Sequence, residues 1–159
     1  MNSWANPMDK YFYVVSQLPM LFWDREPSTS SEAFLAEAEK WLSPSDFAIL
    51  RDAGIKETRA AQNLPPLLGE YRNFERTFRT ELAQWRKAHY EGQDYKPQTF
   101  PVAMIKDVNP LEAERAILKR RWDLVDDLEL GHHFDLEFLI AFYLKLQILE
   151  KLSAFDKDK

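Results

Sequence analysis

Seven side chains able to ligate metal or exchange protons crowd one short stretch of the chain: Asp123, Asp126, Asp127, Glu129, His132, His133 and Asp135. Carboxylates and imidazoles are the usual donors to divalent ions. The spacing argues against a metal, because His132 and His133 are adjacent. They are not three or four residues apart on one helical face, as the two-histidine grip of a helical zinc site requires. Capping and turn packing explain the cluster better, with Asn109, Gly131, His132 and Asp135 as the cap and turn residues. Covalent catalysis has no more support. There is no serine elbow, and a chain with four glycines and three histidines has little from which to build a phosphate loop or a catalytic dyad. The expectation is a non-enzymatic protein with no catalytic residue, metal or cofactor.

The same acidic residues pose an electrostatic question. Asp123, Asp126, Asp127 and Glu129 fall at the C-terminal end of a helix, where the macrodipole disfavours negative charge. Lys119, Arg120 and Arg121 lie just before them and offset part of this. Further basic groups must answer the rest, either from within the chain or from a partner. One source is the stripe Arg72, Arg76, Arg79 and Arg86, set about 120° around its helix from the apolar face. Two readings of that stripe lead, with nucleic acid a distant third. It is a solvated face with local pairs such as Glu75 with Arg79, or it is a docking strip for an acidic partner. Pairing inside the chain is the simpler account of the acidic end.

Two C-terminal helices must position this region. The last, from Leu136 to about Phe155, has 14 apolar residues among its 20, and its polar residues do not share a face. Such a helix is buried on several sides. Its longest apolar run, Phe138 to Leu144, falls well short of the ~18 residues of a membrane span, so it reads as a core helix. Asp135 suits its N-cap. The preceding helix starts with Asn109 as cap, Pro110 in the first position and Glu112 where a capping-box partner belongs. Leu111, Leu118, Trp122 and Val125 give it one stripe against the last helix. Gly131 is the natural stop, since glycine takes the left-handed conformation without steric cost. The pair is a helical hairpin.

Upstream, residues 1–8 are expected to be loose. Tyr11-Phe12-Tyr13-Val14-Val15-Ser16-Gln17-Leu18 is read as a short helix ending before Pro19, with its aromatic residues in the core. Ser30 or Ser31 caps a helix whose apolar face is Phe34, Leu35, Ala38, Trp41 and Leu42. Ser43-Pro44 starts another, carrying Phe47 and Leu50 and ending near Gly54. A connection follows to Pro65-Pro66. A long, surface-facing helix from about Leu67 to His89 then carries the stripe Tyr71, Phe74, Phe78, Leu82 and Trp85. Residues 90–108 read as a long loop. Its length leaves two options, a mobile arm or a stretch from Phe100 to Val108 extended against a neighbour.

Composition agrees with one all-α domain spanning 1–159. Hydrophobic content of 45% with 14% aromatic residues argues against disorder. A formal charge of −5 disfavours a general nucleic-acid binder. Cysteine is absent, which removes disulfides and thiolate metal sites. No basic leader with an apolar core opens the chain, so a cytoplasmic location is expected.

Two places resemble a family of largely uncharacterised bacterial proteins encoded among the subunits of V/A-type rotary ATPases. One is the aromatic run Tyr11 to Val15 followed by Leu18-Pro19. The other is the hairpin, through Asn109-Pro110-Leu111-Glu112, Arg121-Trp122, Glu129-Leu130-Gly131-His132, Phe134-Asp135-Leu136-Glu137 and Leu144 to Glu150. With Leu42-Ser43-Pro44-Ser45-Asp46 the resemblance covers about half the chain. It implies an all-helical accessory, assembly or coupling subunit of such an ATPase, distantly similar to the helical subunit between the central stalk and the membrane ring. That subunit is larger and repeated; this chain shows no repeat. The implied partners are other ATPase subunits at the inner face of the membrane. The alternative is a free-standing helical protein that self-associates as a homo-oligomer through its aromatic surface.

Overall fold

Asp135 caps the helix against which the others pack. Its carboxylate accepts from the Phe138 amide at 2.8 Å, satisfying one of the donors a helix start leaves open. The computed structural model describes residues 7–157, and over them the chain is all-α. The described helices are α1 (Pro7–Ser16), α2 (Ser31–Trp41), α3 (Pro44–Arg51), α4 (Pro66–Tyr90), α5 (Pro110–Glu129) and α6 (Leu136–Lys157), with a 3-10 turn at Val102–Met104. No helix among the described residues is long and apolar enough to cross a membrane.

Helix α6 is the centre. Leu139, Ile140, Ala141, Leu144, Leu146 and Ile148 are fully buried, and each of the leucines and isoleucines contributes about 1.5–3 kcal/mol by leaving water. Helix α5 lies antiparallel beside it, since Asp126 and Glu129 meet Lys145 while Arg115 meets Asp156. The turn between them contains Gly131 at φ +86°, where an L side chain would be strained. Asn109 accepts from the Glu112 amide at 2.8 Å. Ser30, rather than Ser31, caps α2 through the Ala33 amide, and Ser43 caps α3 through that of Asp46.

The upstream readings need three corrections. Helix α1 begins at Pro7, inside the stretch expected to be loose; residues 1–6 lie outside those described. The aromatic run of α1 is not all core, as Phe12 and Tyr13 are half exposed while Val14 is buried. A ten-residue helix packs one face, here Tyr11, Val14 and Val15, and neighbours in sequence fall ~100° away. Helix α4 is also more buried than expected, with Arg72, Glu75 and Glu81 inside.

The long loop is a strap across α4 and α5. Phe100 and Ile105 join Phe78, Leu82 and Ile117 in a second, smaller core. Phe100 sits edge-on to Phe78 at 5.5 Å. Glu81, buried on α4, accepts from the amides of Gln98 and Thr99, while Arg120 on α5 donates to the Thr99 carbonyl at 2.9 Å. The segment from Phe100 to Val108 is turned rather than extended, because the 3-10 turn lies within it.

Candidate functional site

The acidic end of α5 is answered from within the chain, but by a residue outside the arginine stripe. Lys145 of α6 reaches Asp126 and also Glu129, the latter at 2.6 Å. Its ammonium lies 5.0 Å from the centre of the Trp122 ring, so the buried charge has an aromatic face as well as two carboxylates. Asp123 pairs one turn back with Lys119 at 2.8 Å. Asp127 is exposed.

The arginine stripe serves mainly to hold the connection between α3 and α4. Arg72 is buried and donates to the carbonyls of Asp52 and Arg59 at 3.0 and 3.1 Å. Arg76 donates to Thr58 at 2.6 Å and Arg79 to Lys56 at 2.9 Å. Five donors spread over a guanidinium suit this, since a turn-rich connection leaves carbonyls unpaired. The local pair of Arg79 with Glu75 is long, at 4.0 Å. Glu75 is taken instead by Arg121, through bonds of 2.7 and 2.9 Å. Of the four arginines only Arg86 is exposed without an ion-pair or side-chain hydrogen-bond partner among the described residues. It shares a cleft with Arg79, Lys56 and Lys151.

His132 is built into a clamp at the hairpin turn. Its Nδ1 lies 2.8 Å from Asp135 and its Nε2 3.3 Å from Glu137. The Asp135 hydrogen bond raises its pKa against the opposing effect of burial, and Glu137 and Glu129 add to the rise. Glu137 also accepts from the Leu67 amide at 3.2 Å. That serves the start of α4, whose own cap position is Pro65 with no side chain able to accept. Among the described residues no group of three or more His, Cys, Asp or Glu is placed to hold a metal ion.

A connected aromatic patch covers the outer side of α1. Phe12 is 50% exposed, Tyr13 53% and Phe134 41%. The Phe12 ring lies 5.1 Å from Phe134 and 6.2 Å from Tyr13, and Tyr13 stacks on Trp41 at 5.6 Å. Three half-exposed rings linked through Phe12 differ from isolated surface apolar residues, which need no explanation. The patch joins the aromatic run of α1 to the turn between α5 and α6.

Other residues of consequence were not singled out in the sequence. The polar side chains of α6 each serve a different neighbour. Glu150 accepts from the Ser31 amide at 2.5 Å and its hydroxyl at 3.0 Å. Gln147 accepts from the Ile55 amide and donates to the Ala53 carbonyl. The available signal was their scatter around an apolar helix, because a polar group in such a setting needs a specific partner. Compared with family models, curated proteins and solved structures, the chain matches none.

Proposed function

We propose that this chain acts by binding rather than by catalysis, and that a second copy of the same chain occupies its aromatic patch. The observation that carries this reading is the contact of Phe12, Tyr13 and Phe134, each about half exposed. Rings meet well edge-to-face or offset, so an aromatic surface is complementary to itself. That is what an isologous two-fold interface demands. The variant Phe12→Ser with Phe134→Ser tests it. Size-exclusion chromatography of the wild type should show a species larger than the monomer, and the variant should elute later with unchanged helicity. Identical elution of the two proteins would remove the patch from the interface.

The resemblance to the ATPase-associated family names a second occupant. In that reading the chain is an accessory, assembly or coupling subunit of a V/A-type rotary ATPase, held at the cytoplasmic face of the membrane. Its support is the set of residues at the aromatic run and the hairpin. Stoichiometric recovery of ATPase subunits with the tagged protein, and its loss in the same double variant, would assign the patch to that interface. Recovery of none, from an intact complex, would leave self-association.

A further inference from the structure

The cleft between α4, α5, α6 and the connection after α3 carries charge opposite to that of the whole chain. Lys56, Arg79, Arg86, Arg121 and Lys151 line it, against Glu114 alone. Beneath them Glu75 is committed to Arg121 by two hydrogen bonds. None of the ion pairs among the described residues involves Lys56, Arg86 or Lys151. Three cations with no ion pair among the described residues therefore share one concavity with a single carboxylate, Glu114, in a chain of formal charge −5. An adjoining cleft shares Lys56 and Lys151 and contains Arg51 and Arg59. There the charges are locally spent, Arg51 on Asp52 at 3.4 Å and Arg59 on Glu57 at 3.0 Å. Lys56 and Lys151 thus stand on the border of the two clefts, and only the first adds Arg86 to them.

We propose that this cleft binds a small multivalent oxyanion of the phosphate class, such as inorganic phosphate or diphosphate. The donor set fits. Two lysine ammoniums act as compact point charges and Arg86 supplies a fork for paired oxygens. The size fits too: about 230 Å³ is below the ~300–1,000 Å³ common for organic-ligand pockets. The site is made from the connection, α4 and α6, so an anion there would tie three elements together. Burial and the facing Lys56 ammonium hold the Lys151 ammonium down to about 8, a conflict that an anion between them relieves. The aromatic patch shares no residue with this cleft, and neither proposal depends on the other.

The test is calorimetric titration of sodium diphosphate into the full chain at low ionic strength, repeated with orthophosphate and with citrate. Wild type should bind diphosphate saturably and more tightly than citrate. At a pH near that of the Lys151 transition, binding should draw a proton from the buffer. Lys56→Met with Lys151→Met should weaken binding by at least about tenfold, as expected when charge pairing is removed from a shielded site. That variant should melt higher than wild type without anion, because it removes a like-charge contact. Arg86→Met, at an exposed position, weakens binding without repacking; Arg51→Gln with Arg59→Gln leaves it unchanged. No saturable binding to wild type up to about 10 mM diphosphate, a level weaker than specific recognition, would overturn the proposal. So would equal affinity in both the lysine double variant and Arg86→Met.

Discussion

Arg121 on α5 grips Glu75 on α4 with two parallel hydrogen bonds of 2.7 and 2.9 Å, and their side chains keep only 7% and 0% of their exposure. The pair joins the larger core around α6 to the smaller one beneath the strap, since Phe78 packs one helical turn beyond Glu75. The Arg121 guanidinium lies 5.8 Å from the centre of that Phe78 ring. Charge at this depth is tolerated only because both partners are present.

Removing either partner alone should be severe. Glu75→Gln or Arg121→Met is expected to lower unfolding free energy by about 3–5 kcal/mol, the usual result of stranding one buried charge. Replacing both, as Glu75→Leu with Arg121→Met, should recover most of that loss, because the pair's own net contribution is small. Urea denaturation of the three variants checks this; a double variant as unstable as the singles would show that the pair holds the fold rather than merely balancing itself.

Lys145 gives a second case. Its loss in Lys145→Met leaves Asp126 and Glu129 facing the negative end of α5, with neither partner nor favourable dipole. A loss of about 1 kcal/mol is expected, because Asp126 stays half exposed and water screens the carboxylates left behind. The further variant Asp126→Asn should restore part of it. Thermal melts of the two proteins decide.

These two cases show what a sequence exposes and what it conceals. Cap and stop signals were legible because they act within a few residues: Asn109 before Pro110, Ser43 before Pro44, and Gly131 after α5 all stand where local backbone chemistry puts them. The scatter of the few polar residues around α6 likewise announced burial on several sides. Partner choice was not legible. Arg72 and Arg86 look alike in a helical stripe, yet one is buried under the connection and the other is exposed, because the connection from Asp52 to Arg59 crosses only part of α4. Tyr11 and Phe12 are equally aromatic, and only the docking angle of α1 decides which faces water. Lys145 and Glu75 have partners 16 and 46 residues away, beyond any local pattern.

The His132 clamp predicts a pH dependence. Its folded pKa is raised above 6.5, chiefly by Asp135, so the protonated imidazole stabilises the fold fully below the unfolded value. That contribution fades as pH rises through the folded pKa. His132→Gln should therefore melt below wild type at a pH of about 5.5 and converge with it at about 8.5. Exposure of the Asp135 side chain keeps the difference modest, on the order of 1 kcal/mol or less. Parallel melting curves at both pH values would contradict the clamp.

The strap depends on Glu81, whose carboxylate accepts two backbone amides. Glu81→Ala should leave those donors open and cost about 1–3 kcal/mol. Hydrogen exchange should quicken first over the segment containing Gln98 and Thr99, while α6 keeps its protection. Uniform acceleration across all helices would mean that the strap is part of the global unit.

Sedimentation equilibrium of the purified wild type over a wide concentration range reports whether the exposed rings of Phe12, Tyr13 and Phe134 join two copies of this chain, as proposed. Self-association through them gives a mass that rises with concentration from one chain toward two and fits a monomer–dimer equilibrium. A constant monomer mass at every loading would contradict it.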